Sequence, residues 1–84
     1  MRPYAVYINE AALNSAPRAG WQRDQLMKFI RSLADNPNTP GDFSEQDDAR
    51  RIVQVKIIGH YAVTFWADDA VLEIKVTHIK PADR

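Results

Sequence analysis

"RRIVQVKIIGHYAVTFWADDAVLEIKVTHI", residues 50–79, reads as β-structure from end to end, and its register decides the fold. Three runs rich in β-branched and aromatic residues, "RRIVQVKII", "YAVTFW" and "VLEIKVTHI", are separated by the dipeptide Gly59-His60 and by a short charged tip around Asp68-Asp69. Links this short join antiparallel neighbours, so the expectation is a meander. A two-residue turn at Gly59-His60 would pair Ile58 with Tyr61 and set Gln54 and Lys56 on the face of Val63 and Phe65, burying a lysine. Lengthening the link by one residue pairs Ile57 with Tyr61 instead and exchanges the faces of the first strand. Val53, Val55 and Ile57 then join Tyr61, Val63, Phe65, Leu72, Ile74 and Val76 on one apolar face. Gly59 makes such a bulged turn sterically easy, and this register is the expected one. The opposite face would carry Gln54, Lys56, Ala62, Thr64, Trp66, Glu73, Lys75 and Thr77.

Upstream, "YAVYIN" (4–9) alternates like a strand. "EAALNS" (10–15) is a short helix-prone piece, stopped by Pro17 and Gly20. From about Ala19 to Asp35, Trp21, Leu26, Phe29, Ile30 and Leu33 recur at helical spacing, with Arg23, Asp24, Lys28 and Arg31 on the other side. Pro37 closes that helix. Residues 36–49, "NPNTPGDFSEQDDA", combine turn formers with four acidic residues and read as a mobile loop. The order β-α-α-β-β-β describes an α+β domain with an antiparallel sheet and two helices packed on one face.

A chain of 84 residues is expected to be one domain, 1–84, near the lower size at which an apolar core suffices. Cysteine is absent, so neither a disulfide nor a thiolate metal site can supplement that core. No stretch approaches the roughly 20 apolar residues of a membrane span, and no signal-peptide run opens the chain, which points to the cytoplasm. Eleven basic and eleven acidic residues cancel. That balance argues against a generic nucleic-acid binder unless cations gather locally. Metal-ligand spacing, a glycine-rich phosphate loop and a nucleophile arrangement are all lacking, so no cofactor or metal is implied.

The helix ending in "LADNP", the acidic loop, the turn "IIGHYAV" and the terminal "EIKVTHI" together resemble the RelE/ParE superfamily of small toxins from type II toxin–antitoxin pairs, which includes plasmid stabilisation proteins. The resemblance spans nearly the whole chain. It implies the fold above, no metal, an antitoxin from an adjacent gene as partner, and action either as an endoribonuclease on ribosome-bound mRNA or as an inhibitor of DNA gyrase. Gly59 and Tyr61 match the family's turn. Ala62 stands where RNA-cleaving members carry an arginine, and His60 where the turn has an aspartate. Near the end His78 matches a histidine, but Ile79 replaces the arginine beside it and no tyrosine follows. The alternative is a catalytically inert RelE-fold binding module that engages an antitoxin-like peptide.

A ribonuclease of this kind needs cations to stabilise the charged phosphorane-like transition state and a group to move the 2′-hydroxyl proton. Arg51, Lys56 and Lys75 are the candidate cations, Trp66 a stacking or anchoring platform beside them, and His60 the candidate proton carrier. Each also has an ordinary reading. His60 is a polar turn residue; His78 falls in phase with the core face; Lys75 with Glu73 makes a solvated ion pair of small energetic value; Arg50-Arg51 answers the Asp47-Asp48 run.

Overall fold

The computed structural model describes residues 3–82. Its elements, in chain order, are β1 (Ala5–Ile8), α1 (Glu10–Ser15), α2 (Trp21–Ser32), β2 (Phe43–Gln46), β3 (Ile52–Ile58), β4 (Tyr61–Asp68) and β5 (Glu73–Pro81). They form a five-stranded sheet of order β1-β5-β4-β3-β2. The meander β2-β3-β4-β5 is antiparallel, and β1 lies parallel to β5. The α1–α2 segment carries the chain from β1 at one edge of the sheet to β2 at the other.

Helix α1 starts where the Asn9 side chain accepts the Ala11 N–H at 2.8 Å, an N-cap that satisfies one of the helix's open donors. Its buried residue is Ala12, followed by Ala16 at the cap; side chains this small let the helix approach β5 closely. Helix α2 begins after Gly20, whose φ of 90° is a left-handed conformation natural to glycine. Leu26, Ile30 and Leu33 follow at i, i+4 and i+7 and are fully buried. Burial of each such side chain stabilises by about 1.5–3 kcal/mol. The last turn closes with Ser32 Oγ donating to the Phe29 carbonyl and Asn36 Nδ2 to the Ser32 carbonyl, after which Pro37 stops it. Trp21 does not join the apolar stripe; it stands 64 % exposed at the helix start.

The helices cover Val63, Phe65, Ile74, Val76 and Ile79, with Val6, Ile8, Ile58 and Tyr61 at the margin. Phe29 meets Phe65 edge-on at 5.7 Å between ring centroids, a favoured aromatic geometry.

The register of the first hairpin differs from expectation. Ile58 pairs with Tyr61, Lys56 with Val63 and Gln54 with Phe65, so the turn is the tight two-residue one. Gly59 adopts φ 61°. Gln22 from α2 clamps this turn, donating from Nε2 to the Ile58 carbonyl (3.3 Å) and accepting the His60 N–H at Oε1 (3.1 Å). Lys56 and Gln54 consequently lie on the helix side. Val53, Val55 and Ile57 face the opposite, open side.

The reason lies in residues 36–49, which were expected to be loop. They contain β2, and its Phe43 and Glu45 sit beside Val55 and Val53. Val53 and Val55 are buried at 2 % and 3 % exposure yet stand apart from the helix-covered cluster. On the helix side, the stretch before β2 takes the place of a helix over β3. Gly41 N–H donates to Gln54 Oε1 at 2.9 Å, while Asp42 accepts the Ile57 N–H at 2.7 Å and pairs with Lys56 at 3.3 Å. A lysine on that side is thus half-exposed and neutralised, and the penalty that argued against this register is small.

A second correction concerns the chain's end. A bulge between the pairs Thr64–His78 and Phe65–Val76 leaves Thr77 as an extra residue in β5. One inserted residue reverses alternation beyond it. Ile79 enters the core, and His78, expected in phase with the core, turns outward on the open face and is exposed.

Candidate functional site

The open face divides into two adjoining features. The first centres on Trp66, one residue past Phe65 and so turned away from the helices by strand alternation. The Arg51 guanidinium lies 4.2 Å from its ring centroid and the Lys75 ammonium 5.5 Å away, both within cation–π range. Lys75 is brought there by strand pairing directly opposite Trp66. Arg51 is brought by the β2–β3 turn, which Asp47 organises. One Asp47 oxygen accepts the N–H groups of Ala49 and Arg51, and the other pairs with Arg51 Nε at 2.9 Å. Arg50 takes φ 64° within this turn. Tyr7, opposite Lys75 on β1, is 54 % exposed. With Asn9, Arg51, Trp66, Lys75 and Thr77 it lines a hollow of ≈ 350 Å³.

Every cation here has a carboxylate. Arg51 holds Asp47; Lys75 lies 3.4 Å from Glu73 and 3.8 Å from Asp68. The Asp47 carboxyl is held below the ordinary carboxylate value first by the Arg51 backbone N–H and then by the Arg51 side chain. Asp42 is lowered likewise, chiefly by the Ile57 backbone N–H, with Lys56 adding to it.

The second feature is a groove of ≈ 430 Å³ lined by Phe43, Val55, Ile57, Ala62, Thr64 and Lys80, among others. Ala62 pairs with Lys80 and Thr64 with His78. Glu45, Thr64 and Lys80 are its polar lining residues; the others are apolar.

Of the residues expected to form one site, the structure brings together Arg51, Trp66 and Lys75. Lys56 lies on the other side of the sheet, held by Asp42. His60 sits at the exposed tip of the β3–β4 turn with its backbone bound to Gln22. Tyr7 and Phe43 also belong to the open face. Tyr7's place in the strand alternation was readable, but its facing depended on the parallel pairing to β5; Phe43 was hidden by the loop reading of its segment. Among the described residues, no three His, Cys, Asp or Glu side chains converge as a metal site, and no helix is long and apolar enough to cross a membrane.

No protein-family model matches the sequence, and no curated protein matches it. Among solved structures, one chain of the crystal structure of the archaeal RelE–RelB complex from Pyrococcus horikoshii OT3 superposes with a TM-score of 0.72 at 22 % identity, covering 98 % of each chain. This chain has a RelE-like fold. In RelE-like terms the open face is the side away from the helical crossover. There, the position expected to carry an arginine, Ala62, opens into an apolar groove, with Lys80 as the cation across from it.

Proposed function

We propose that this protein is the toxin-type member of a type II toxin–antitoxin pair, held by an antitoxin polypeptide encoded beside it, and that it acts through the open face around Trp66. The observation that carries the reading is the end-to-end likeness to a chain of a RelE–RelB complex, 98 % of both chains. The cationic pair on Trp66 supports a contact role: an aromatic flanked by Arg51 and Lys75 can stack on a base or anchor a partner segment.

Two chemistries fit such a toxin, cleavage of ribosome-bound mRNA and inhibition of DNA gyrase. Cleavage requires cations free to meet a phosphorane-like centre and a proton carrier within reach. Arg51 and Lys75 would first have to leave Asp47, Glu73 and Asp68, and His60 stands outside the cluster. His78, exposed beside Thr77 with Nδ1 3.1 Å from its Oγ1, is the histidine on this face. The paired cations and the apolar groove at Ala62 favour a second reading, action by binding without cleavage, as in gyrase inhibition or an inert antitoxin-binding module.

Induction of the chain alone, with translation and DNA supercoiling followed separately, tests the reading. Arrest of either, relieved by co-expression of the adjacent frame, is the expected result; growth unaffected at full expression contradicts it. Ala62→Arg then separates the chemistries, because it puts a guanidinium opposite Lys80. A gain of RNA cleavage marks a nuclease scaffold short of one cation, and no gain marks a binding surface.

A further inference from the structure

Residues 47–50, which join β2 to β3, are tied together more closely than a surface turn needs. The Asp47 N–H donates to the Arg51 carbonyl and the Arg50 N–H to the Asp47 carbonyl, both at 2.9 Å. One Asp47 oxygen accepts the N–H groups of Ala49 and Arg51, each at 2.9 Å, as in an Asx turn. Arg50 is held at φ 64°, a left-handed conformation that a non-glycine residue keeps where its surroundings impose it. The other Asp47 oxygen accepts from Arg51 Nε at 2.9 Å. One carboxylate thus fixes both the backbone of the turn and the direction of a guanidinium.

That guanidinium comes to rest on Trp66. Its carbon is 4.2 Å from the ring centroid, whereas the Lys75 ammonium lies 5.5 Å away and is shared with Glu73 and Asp68. A planar guanidinium this close covers part of the ring face that any stacking ligand would use. The hold on it is light. Asp47 is its one carboxylate partner among the described residues, the Arg51 side chain is 45 % exposed, and an ion pair in water contributes little. Movement of the guanidinium away from Asp47 uncovers the ring and leaves the charge unmatched in the same step.

We propose that Arg51 is a removable cover on Trp66, pinned by Asp47, so that the free chain holds this contact face closed and displacement of one side chain opens the ring and releases a cation together. Arg51 is then both the block and part of what a ligand meets, and Asp47 is the positioning residue that sets the balance. The proposal rests on the reading that the protein acts through the open face around Trp66, and it adds how access to that face is controlled.

The chain has two tryptophans, and Trp21 stands exposed at the start of α2, so Trp21→Phe leaves Trp66 as the sole reporter. In that background, quenching of Trp66 emission is read with acrylamide, which is neutral, and with iodide, an anion. Asp47→Asn is the deciding variant. The asparagine oxygen can still accept the Ala49 and Arg51 N–H groups, while its amide, a donor, meets the Arg51 donor where the carboxylate oxygen stood. Acrylamide quenching should rise about twofold or more as the guanidinium leaves the ring, and iodide quenching should rise further because the freed cation attracts it. Arg51→Ala, which keeps Asp47 and its two backbone bonds, should raise acrylamide quenching without the added iodide effect. Lys75→Ala should leave acrylamide quenching near the parent value. Quenching at the parent level in both Asp47→Asn and Arg51→Ala, or a rise in Lys75→Ala as large as theirs, overturns the proposal.

Induced in cells, Asp47→Asn should arrest growth at a lower inducer level than the parent. An unchanged threshold despite an open ring overturns the control of function by this cover. A parent that does not arrest growth removes the toxin reading alone, since the quenching series still decides whether the ring is covered, and the two readings fail separately.

Discussion

The sheet has two halves that are covered in different ways. Over β1, β5 and β4 the cover is helical, and the side chains beneath it, such as Phe65, Ile74 and Val76, are nearly inaccessible. Over β3 the same side is covered by residues 41–42, through one amide and one carboxylate. The first half is held by apolar burial, which is insensitive to charge; the second by hydrogen bonds and an ion pair at half-exposed groups, which water and salt weaken. Local opening should therefore begin in the β2–β3 half, the half that carries the free edge and the Arg51 turn of the candidate site.

The sharpest way to break this comparison is Phe65→Ala. Loss of a fully buried ring that also meets Phe29 should cost about 3–5 kcal/mol by transfer and cavity terms, a large share of the about 5–15 kcal/mol available to a small domain. A urea midpoint that hardly moves would mean that the helical half is not the core. Next in size is Gly59→Ala. A Cβ at φ 61° would sit 2.6 Å from the Gln22 amide atoms, and the left-handed conformation alone costs a non-glycine residue about 1–2 kcal/mol. Parent-like stability of this variant would refute the tight turn and with it the register. The smallest effect belongs to the loop-covered half. Asp42 and Asp47 are both held below the ordinary carboxylate value of 3.8. Their contribution is complete above that pH and is lost as pH falls through their lower folded values. Thermal melting followed downward from pH 5 should thus decline below about pH 4, and an Asp42→Asn, Asp47→Asn double variant should decline less steeply; identical profiles would remove these two carboxylates from the account.

The contrast also explains what could be read from the residues alone. Segments whose cover is apolar were legible: Leu26, Ile30 and Leu33 announce α2, and Val63, Phe65, Ile74 and Val76 announce the strands beneath it, so the α+β class and the helices follow from pattern, whereas the parallel pairing of β1 with β5 does not. The β3 alternation was equally plain, but pattern gives two faces without saying which one a helix covers. That choice hung on β2, where "FSEQ" lacks the β-branched signature and gains its strand character from pairing with β3. With β2 unseen, Val53 and Val55 had no company on the open side, and Lys56 had no visible counter-charge in Asp42. The bulge at Thr77 was illegible for a related reason: an extra residue in a strand leaves no compositional mark, and it alone exchanges His78 and Ile79. Within the candidate site, Trp66 and Lys75 were assigned correctly to one face because they lie on strands with unambiguous partners. Lys56 was placed with them only through the wrong register.

Growth after induction of two variants tests the central claim most directly, since one alters the open face and the other the loop-covered side. The account predicts that the parent arrests growth, that an Arg51→Ala, Lys75→Ala double variant, folded by circular dichroism, loses that arrest, and that Lys56→Ala retains it. Arrest that survives the double variant but vanishes with Lys56→Ala would place function on the helix side of the sheet, and a parent without effect on growth would contradict the toxin reading itself.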